Sequence, residues 1–532
     1  MDKSYNMTNS GKQIMRRQGA KALLYKITYP IVSIGPTWYD FYYKFINKNQ
    51  QGSIVNTSIK ENIDDKKKPH LIIFSFRYWL IHSALEMAFA KEKELDGWRV
   101  TIIGCDEAIS TCDNDMFTDK PIKKTFTHRC EYCSYLLKKL CKRTGANYLS
   151  INKYLKNLEN LAIPSEKDYS KIVNVSWIRL LRNIYPKTKQ ERELKEKLIE
   201  SAKTIDLFFH NYFENVKVDK VIMLNGKFFS ENLLRYYCDI NSIEYISYER
   251  GVLKNTVMFS MNGPAIPAKV KDKWESIKNK KLEIDEDNRL VNYLNNRKNL
   301  GNAEYIPFYN KLIDNKNNII ENLNLNMEKE SFVLFTNSIW DSSVVDEDTI
   351  FTNMFDWVST TIDYFIKNYE KNLIIRIHPV EVKVSPQQIT RSRVDGYIKE
   401  KYSDLPDNIK VIPPECEVSP YTLMNICQTG LVYTSTTGLE MSITGKPVIV
   451  ASNAYYGIED FIYLPQSKKE YIALLEKGLK PKLNQVLYAK KFANYYYFNH
   501  MISYSKWIEQ IGSDYRFITP INDVKILKSA GL

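Results

Sequence analysis

Short apolar runs alternate with stretches of helical periodicity over most of this 532-residue chain, and this alternation constrains its fold more than any other feature. Leu71–Phe74, Val100–Gly104 and Val221–Leu224 have the length and composition of strands that are buried on both faces of a parallel sheet. Trp79–Lys93 and Gln190–Val216 have the periodicity of amphipathic helices. The pattern predicts an α/β fold in which helices cover a mostly parallel sheet.

The same rhythm occurs a second time, beginning at Phe332–Phe335, after the polar and Asn-rich stretch Lys271–Glu330. A chain of this length exceeds one ordinary domain core, so we predict two doubly wound, Rossmann-like halves. The predicted parts are an N-terminal helical arm and linker at 1–65, a first domain at 66–310, a second domain at 311–480 and closing helices at 481–532. Ligands of such domains bind beyond the carboxyl ends of the strands.

Charge and hydropathy exclude several classes of protein. No uncharged apolar run reaches the roughly 20 residues of a spanning helix, and no signal peptide is recognisable, which predicts a cytoplasmic protein. The net charge of +13 favours acidic partners, but Lys66–Lys68 is the only compact basic block, so nucleic acid is not expected. Met15–Tyr43 mixes basic and aromatic residues and either binds a membrane surface or packs on its own domain.

Polar side chains gather where three predicted strands of the second half end. They are Asn337 and Ser338 after Phe335, Arg376 and His378 at the next strand end, and Ser435, Thr436, Thr437 and Glu440 after Gly430–Tyr433. Hydroxyls and N–H groups where a helix begins suit a phosphate, and Glu440 suits ribose hydroxyls. An ordinary Ser/Thr helix cap and a structural histidine are the alternative interpretations.

The order of these motifs resembles a known family. A strand that ends in His378-Pro379, then a strand that leads into Ser435–Glu440, then Gly445–Pro447, resembles the bacterial capsule-polysaccharide biosynthesis glycosyltransferases. The pattern is also similar to GT-B enzymes that use CMP-sugars, including Kdo and sialyl transferases. The resemblance covers mainly Phe332–Ser452, about a quarter of the chain.

The resemblance implies a GT-B architecture, with two Rossmann-like domains facing each other across a cleft. The second domain would bind the nucleotide-sugar donor and the first the acceptor glycan. His378, Ser435 and Thr436 would contact the donor phosphate, and hydrogen-bond donors of this kind can stabilise a leaving phosphate without a metal. No cofactor is therefore expected for catalysis.

A general base is expected in the first domain, since such enzymes carry an acidic residue before a glycine there. Glu249, in the run Tyr248–Gly251, is the candidate, although the sialyltransferase form has two acidic residues at this place. Asp341 is a rival base, and a salt bridge is the structural alternative for Glu249. Asn225 and Gly226 either line the acceptor side or only form a turn.

Cysteines cluster in an insertion predicted at 105–141. Cys105, Cys112, Cys130 and Cys133 have spacings that a structural zinc site could use, and His128 is a spare ligand. The other interpretation is buried thiols without a metal. Either way the cluster is expected to be structural.

These observations predict a metal-independent glycosyltransferase. It would move a sugar from a CMP- or UDP-linked donor to a growing capsule or lipopolysaccharide glycan, free or lipid-linked, at the inner face of the plasma membrane. Three alternatives stay open: a sugar-nucleotide epimerase, a CDP-glycerol glycerophosphotransferase, and a non-catalytic polysaccharide-binding or export accessory.

Overall fold

Two β-sheets, each covered by helices, organise the chain. The computed structural model describes residues 67–113, 130, 133–135, 137–139, 141–142, 145–266, 269–298, 312–345, 350–384, 389–511 and 514–532. The predicted arm at 1–65 lies outside these ranges. Within them, no helix is both long enough and apolar enough to cross a membrane.

The first sheet has seven strands in the order β12-β6-β5-β4-β1-β2-β3. In chain order they are β1 (His70–Phe74), β2 (Arg99–Gly104), β3 (Asn147–Ser150), β4 (Lys220–Leu224), β5 (Glu244–Arg250), β6 (Thr256–Met261) and β12 (Ile502–Ser503). β1 to β5 run parallel, whereas β6 is antiparallel to β5 and β12 is antiparallel to β6. All five residues of β1 are buried, as expected for a central parallel strand.

Helices cover both faces of the first sheet. They are α1 (Leu80–Leu95), α2 (Ile151–Lys156), α3 (Tyr169–Ile172), α4 (Asn174–Leu181), α5 (Lys189–Asn215) and α6 (Phe229–Ile240). α5 begins with a capping box, because Thr188 Oγ1 accepts from the Glu191 N–H at 3.2 Å and the Glu191 carboxylate accepts from the Thr188 N–H at 2.9 Å. This local signal explains why the helix starts within one residue of its predicted start.

The second sheet has five parallel strands in the order β11-β10-β7-β8-β9. The strands are β7 (Glu330–Phe335), β8 (Lys371–Arg376), β9 (Ile409–Ile412), β10 (Thr429–Val432) and β11 (Val448–Val450). The helices of this half are α7 (Trp274–Lys278), α8 (Ile284–Lys298), α9 (Lys316–Asn322), α10 (Met354–Lys367), α11 (Val394–Lys401), α12 (Pro420–Ile426), α13 (Thr437–Ile443), α14 (Lys468–Glu476) and α15 (Gln485–Tyr495). The predicted α/β class is confirmed.

The polar stretch between the two halves is more ordered than a linker. α7 and α8 lie within it, and Trp274, Ile277, Leu290 and Tyr293 are buried in the core of the second half. Each pair of these apolar residues is three positions apart, which places both members on one helix face. The second half therefore includes residues well before the predicted boundary at 311.

The C-terminal segment returns to the first half. After α15, β12 pairs with β6, β13 (Ile508–Ile511) and β14 (Asp514–Phe517) form a hairpin, and α16 (Ile526–Ser529) follows. The Glu92 carboxylate of α1 accepts from the N–H groups of Leu527 at 2.9 Å and Lys528 at 2.6 Å. The segment predicted as closing helices thus contains strands as well as helices.

The carboxyl edges of the two sheets face each other. Lys227 Nζ, just beyond β4, donates to the carbonyls of Ser342 at 2.6 Å and Val345 at 3.1 Å, which follow β7. Asn225 Nδ2 lies 3.3 Å from Ser342 Oγ. Two Rossmann-like halves with opposed carboxyl edges are the GT-B arrangement that the sequence resemblance implied.

Candidate active site

The three predicted strand ends adjoin in the second sheet. β7 lies between β8 and β10, and Phe335 pairs with both Arg376 and Val432. Side chains tie the strand ends together, since Thr336 Oγ1 accepts from the His378 N–H at 2.9 Å. Asn337 Oδ1 likewise accepts from the Thr434 N–H at 3.1 Å. The structure therefore brings the three groups of predicted donor-binding residues to one edge.

Two buried hydroxyls at this edge have no partner. Ser338 Oγ and Thr434 Oγ1 make no hydrogen bond to any residue that the structure describes. Buried polar side chains are normally hydrogen-bonded, so hydroxyls left over at a sheet edge suit a polar ligand. The sequence predicts Ser338 as a site residue but does not single out Thr434.

His378 is a neutral hydrogen-bond donor. Its Nδ1 accepts from the Val380 N–H at 3.1 Å, which leaves the ring proton on Nε2. Burial lowers the pKa of His378 to about 4, and the charges of Arg376 and Arg297 act in the same direction. Asp341 opposes them by raising this pKa. The imidazole is uncharged at neutral pH and offers one N–H.

Arg376 has a mainly structural position. Its guanidinium donates to the carbonyls of Ile377 at 3.0 Å, Pro413 at 2.8 Å and Cys416 at 2.7 Å. These bonds hold the loop that follows β9. Donor binding by Arg376 stays a prediction, and its charge lies close enough to His378 to lower the pKa of that ring.

The Ser/Thr turn starts α13 as predicted. The Thr437 hydroxyl donates to Ser435 Oγ at 2.9 Å, and the Ser435 carbonyl accepts from the Gly438 N–H at 3.1 Å and from the Tyr456 hydroxyl. Thr436 occupies the N-cap position of α13 without a side-chain capping bond. The hydroxyl-rich turn therefore adjoins the strand ends, next to Thr434.

Glu440 is buried and paired. Its carboxylate is 4% exposed, and Arg297 Nε lies 3.1 Å from its Oε1. The contact of Glu440 with ribose stays a prediction. In this structure its carboxylate pairs with Arg297. Sequence reasoning missed Arg297 because it lies at the end of α8, in the Asn-rich stretch that carried no motif.

Glu249 lies across the cleft, near the carboxyl end of β5. Its carboxylate accepts from Asn225 Nδ2 at 2.9 Å and from the Arg250 N–H at 2.9 Å, and His82 Nε2 is 3.8 Å away. Burial raises the pKa of Glu249, against the lowering effect of these hydrogen bonds and of Arg179. No Lys or Arg of the described residues lies at ion-pair distance from Glu249, which argues against a structural salt bridge.

Asn225 and Gly226 form the turn after β4. Asn225 has a left-handed backbone with φ of 50°, which asparagine tolerates better than most residues. The Gly226 carbonyl accepts from Arg235 at 3.0 Å. The predicted acceptor-side pair is therefore a turn, and its asparagine side chain also orients Glu249.

Asp341 belongs to the same cleft as Glu249. The guanidinium of Arg179 lies within electrostatic range of both carboxylates, each of which raises its pKa. Asp341 also acts on His378 of the second half. The two candidate bases therefore flank one arginine. Sequence reasoning missed Arg179, because it lies in a short helix without a recognisable motif.

Within the described residues, the predicted cysteine cluster forms neither a disulfide nor a metal site. All eight cysteines are described and none forms a disulfide. In the described part of the chain, no group of three or more His, Cys, Asp or Glu side chains could hold a metal ion. His128 lies outside that part. Cys105 and Cys133 both lie within electrostatic range of Tyr148, and a zinc site stays a prediction.

Solved structures that match this chain include two of KpsC from Thermosulfurimonas dismutans. The beta Kdo 2,4 transferase is 14% identical, with 57% of this chain and 85% of that chain covered and a TM-score of 0.36. The beta Kdo 2,7 transferase is 12% identical, with coverages of 64% and 90% and a TM-score of 0.33. UDP-GlcNAc 2-epimerase from Neisseria meningitidis is 14% identical, with coverages of 80% and 94% and a TM-score of 0.23. At these scores the likeness carries no information on substrate.

A comparison with curated proteins found no match, whereas a family model matches part of the second half. The model described as capsule polysaccharide biosynthesis protein matches residues 286–462, about a third of the chain. The matched region runs from α8 to the residues after β11 and contains the strand-end cluster of the second half. Residues 286–462 are thus similar to the capsule polysaccharide biosynthesis protein family.

Proposed function

We propose that this protein is a glycosyltransferase that transfers a sugar from a CMP- or UDP-linked donor to a growing capsule or lipopolysaccharide glycan. The observation that carries the proposal is the polar cluster at the carboxyl edge of the second sheet. It combines the unpartnered hydroxyls of Ser338 and Thr434 with the neutral donor His378. Carboxyl edges at the cleft of doubly wound domains are where nucleotides bind, and the family match supports a role in polysaccharide synthesis.

On the donor side, His378 Nε2–H would bind the phosphate that leaves with the nucleotide. Ser435, Thr436 and Thr437 would add hydroxyl donors. A preorganised donor stabilises the charge that develops on a leaving phosphate, and removing one donor typically costs about 3–4 kcal/mol of barrier. The proposed reaction needs no metal, because these hydrogen-bond donors would stabilise the charge on the leaving phosphate.

On the acceptor side, Glu249 would act as general base. A sugar hydroxyl is a weak nucleophile at neutral pH, so a carboxylate within hydrogen-bond reach would take its proton as the glycosidic bond forms. The raised pKa of Glu249 makes it a stronger base than an exposed carboxylate. Asp341 is the second candidate for this role.

The proposed setting is the cytoplasmic side of the plasma membrane. Surface glycans grow on lipid carriers or on long chains, and a net charge of +13 favours contact with an anionic bilayer. The basic and aromatic arm at 15–43 would supply that peripheral contact. Vesicle sedimentation with and without residues 1–65 tests this part separately.

The first test is thermal unfolding with CMP, CDP, UDP and GDP. One nucleotide at a hundred times its Kd should stabilise the fold by about 2.7 kcal/mol. In His378→Asn, the new side chain can still accept the Val380 N–H but lacks the Nε2–H donor. We expect the nucleotide shift to disappear in this variant. His210→Ala, on the outer helix α5, is the matched control and should keep it.

Absence of a shift with all four nucleotides would refute the transferase proposal. A shift that survives His378→Asn would place the nucleotide elsewhere. Release of free sugar from the donor without any acceptor would instead indicate an epimerase.

A further inference from the structure

No carboxylate of the described residues pairs with Arg182, a buried arginine near the cleft. Arg182 follows α4, has a left-handed φ of 52° and is 6% exposed. Its carbonyl accepts from the N–H groups of Arg391 at 3.0 Å and Ser392 at 3.4 Å, so it lies where the two halves meet. Its guanidinium makes no hydrogen bond or ion pair to any described residue, and its Nε is buried.

The electrostatic surroundings of Arg182 are unfavourable. Burial, together with the neighbouring cations Arg391 and Arg179, lowers its pKa to about 10. Arg391 has a partner of its own, since its guanidinium lies 3.3 Å from Glu191. A buried charge without a partner is strongly destabilising unless a ligand of opposite charge binds it.

Arg179 lies three residues earlier, in the last turn of α4. Its guanidinium stacks over the rings of Trp79 and Phe228, at 4.8 Å from each centroid. No carboxylate of the described residues lies at ion-pair distance from it, although Asp113, Glu249 and Asp341 lie within electrostatic range and Asp113 has the largest effect of the three. The aromatic rings hold Arg179 in place, within electrostatic range of both candidate bases.

We propose that Arg179 and Arg182 form a binding subsite for an anionic group, a carboxylate or a phosphate, on the acceptor glycan. Guanidinium groups match both anions with paired N–H donors. Both arginines belong to the first half, and Arg179 lies within electrostatic range of Glu249. The assignment of the anion to the acceptor rests on the proposed glycosyltransferase function.

The first test is the stability of the protein without ligand. Arg182→Gln removes an unpaired buried charge and should raise Tm by about 1–2 °C. Arg393→Gln is the matched control, because Arg393 is paired with Asp395 at 2.7 Å and Glu415 at 2.7 Å and should not gain stability on substitution. A fall in Tm for Arg182→Gln would show a structural arginine and overturn the proposal.

The second test is anion binding, measured as a thermal shift with a glucuronate-containing disaccharide, glycerol 1-phosphate and a neutral disaccharide. We expect one anionic probe to stabilise the wild type and Arg393→Gln, with the shift lost in Arg182→Gln and Arg179→Gln. The probe that works identifies carboxylate or phosphate. Equal shifts with the neutral sugar, or none with either anion, would overturn the proposal.

The two proposals fail in different ways. The nucleotide shift that depends on His378 should be unchanged in Arg182→Gln, while KM for an anionic acceptor should rise about 10- to 100-fold with kcat little changed. If the nucleotide shift persists and KM does not move, the subsite is wrong and the transferase function stands. If an anion binds through Arg182 but no nucleotide binds, the subsite stands as an anion site and the function is wrong.

Discussion

Glu249 and Asp341 illustrate how two similar side chains acquire different chemistry. Glu249 is 18% exposed and accepts two N–H groups, and burial still raises its pKa. Asp341 is exposed, and its carboxylate accepts only the N–H of Ser343, at 2.8 Å, among the described residues. A base held in a fixed orientation and tuned towards neutral pH is better suited to proton abstraction.

This contrast predicts the pH dependence of transfer. A general base works ionised, so kcat/KM should rise with pH through the pKa of Glu249, which lies above its usual value of 4.5. Glu249→Gln should lower kcat about 10²- to 10⁴-fold and abolish this acidic limb. Asp341→Asn is the control and should keep the limb. The opposite outcome for the two variants would make Asp341 the base.

The sequence predicts those candidate site residues that follow a buried strand. It does not predict candidate residues that lie elsewhere. Strand ends locate His378, Asn337 and Ser338, because parallel strands place their carboxyl ends at one edge. Arg297 and Arg182 reach the cleft only through tertiary packing of helices whose sequences carry no motif. The fold decides which charges lie next to each of them, as with Arg297 beside Glu440, and this cannot be deduced from sequence spacing.

At the scale of secondary-structure elements, one buried carboxyl joins the turn after His378 to α11. Glu381 is fully buried, and its Oε2 accepts from the Val394 N–H at 3.3 Å, whereas Oε1 has no partner among the described residues. Burial raises its pKa to about 8. The group is therefore protonated in the folded protein at neutral pH, although it would be ionised in the unfolded chain.

This raised pKa predicts a loss of stability with rising pH. The folded state binds the extra proton between pH 4.5 and about 8, so its stability falls by about 1.4 kcal/mol per pH unit in that window. Glu381→Gln removes the titration, and its Tm should rise relative to the wild type between pH 5 and pH 8. A constant difference in Tm over this range would contradict the assignment.

Most strands and long helices were predictable to within a residue or two, because buried apolar runs and capping signals are local. β3 and β6 were not predicted. The residues of β3 are mixed in polarity, and β6 is an antiparallel addition after a turn. Helices α7 and α8 were not predicted either, because their stretch is mostly polar. Only a few buried apolar residues on one face anchor them.

For the whole molecule, the cleft depends on contacts that join the halves at several places. Lys227 is buried and bonds across to the loop after β7, while the C-terminal segment pairs with the first sheet. Opposed carboxyl edges place Glu249 and Asp341 near the same arginine, with Asp341 also close to His378. This arrangement would let the acceptor hydroxyl and the leaving phosphate meet in one protected space.

The most direct test of the central claim is a crystal structure of the complex with the nucleotide that gives the largest thermal shift. We expect the phosphate to lie within hydrogen-bond distance of His378 Nε2 and of the hydroxyls of Ser338 or Thr434. A nucleotide bound at the carboxyl edge of the first sheet, or outside the cleft, would contradict it.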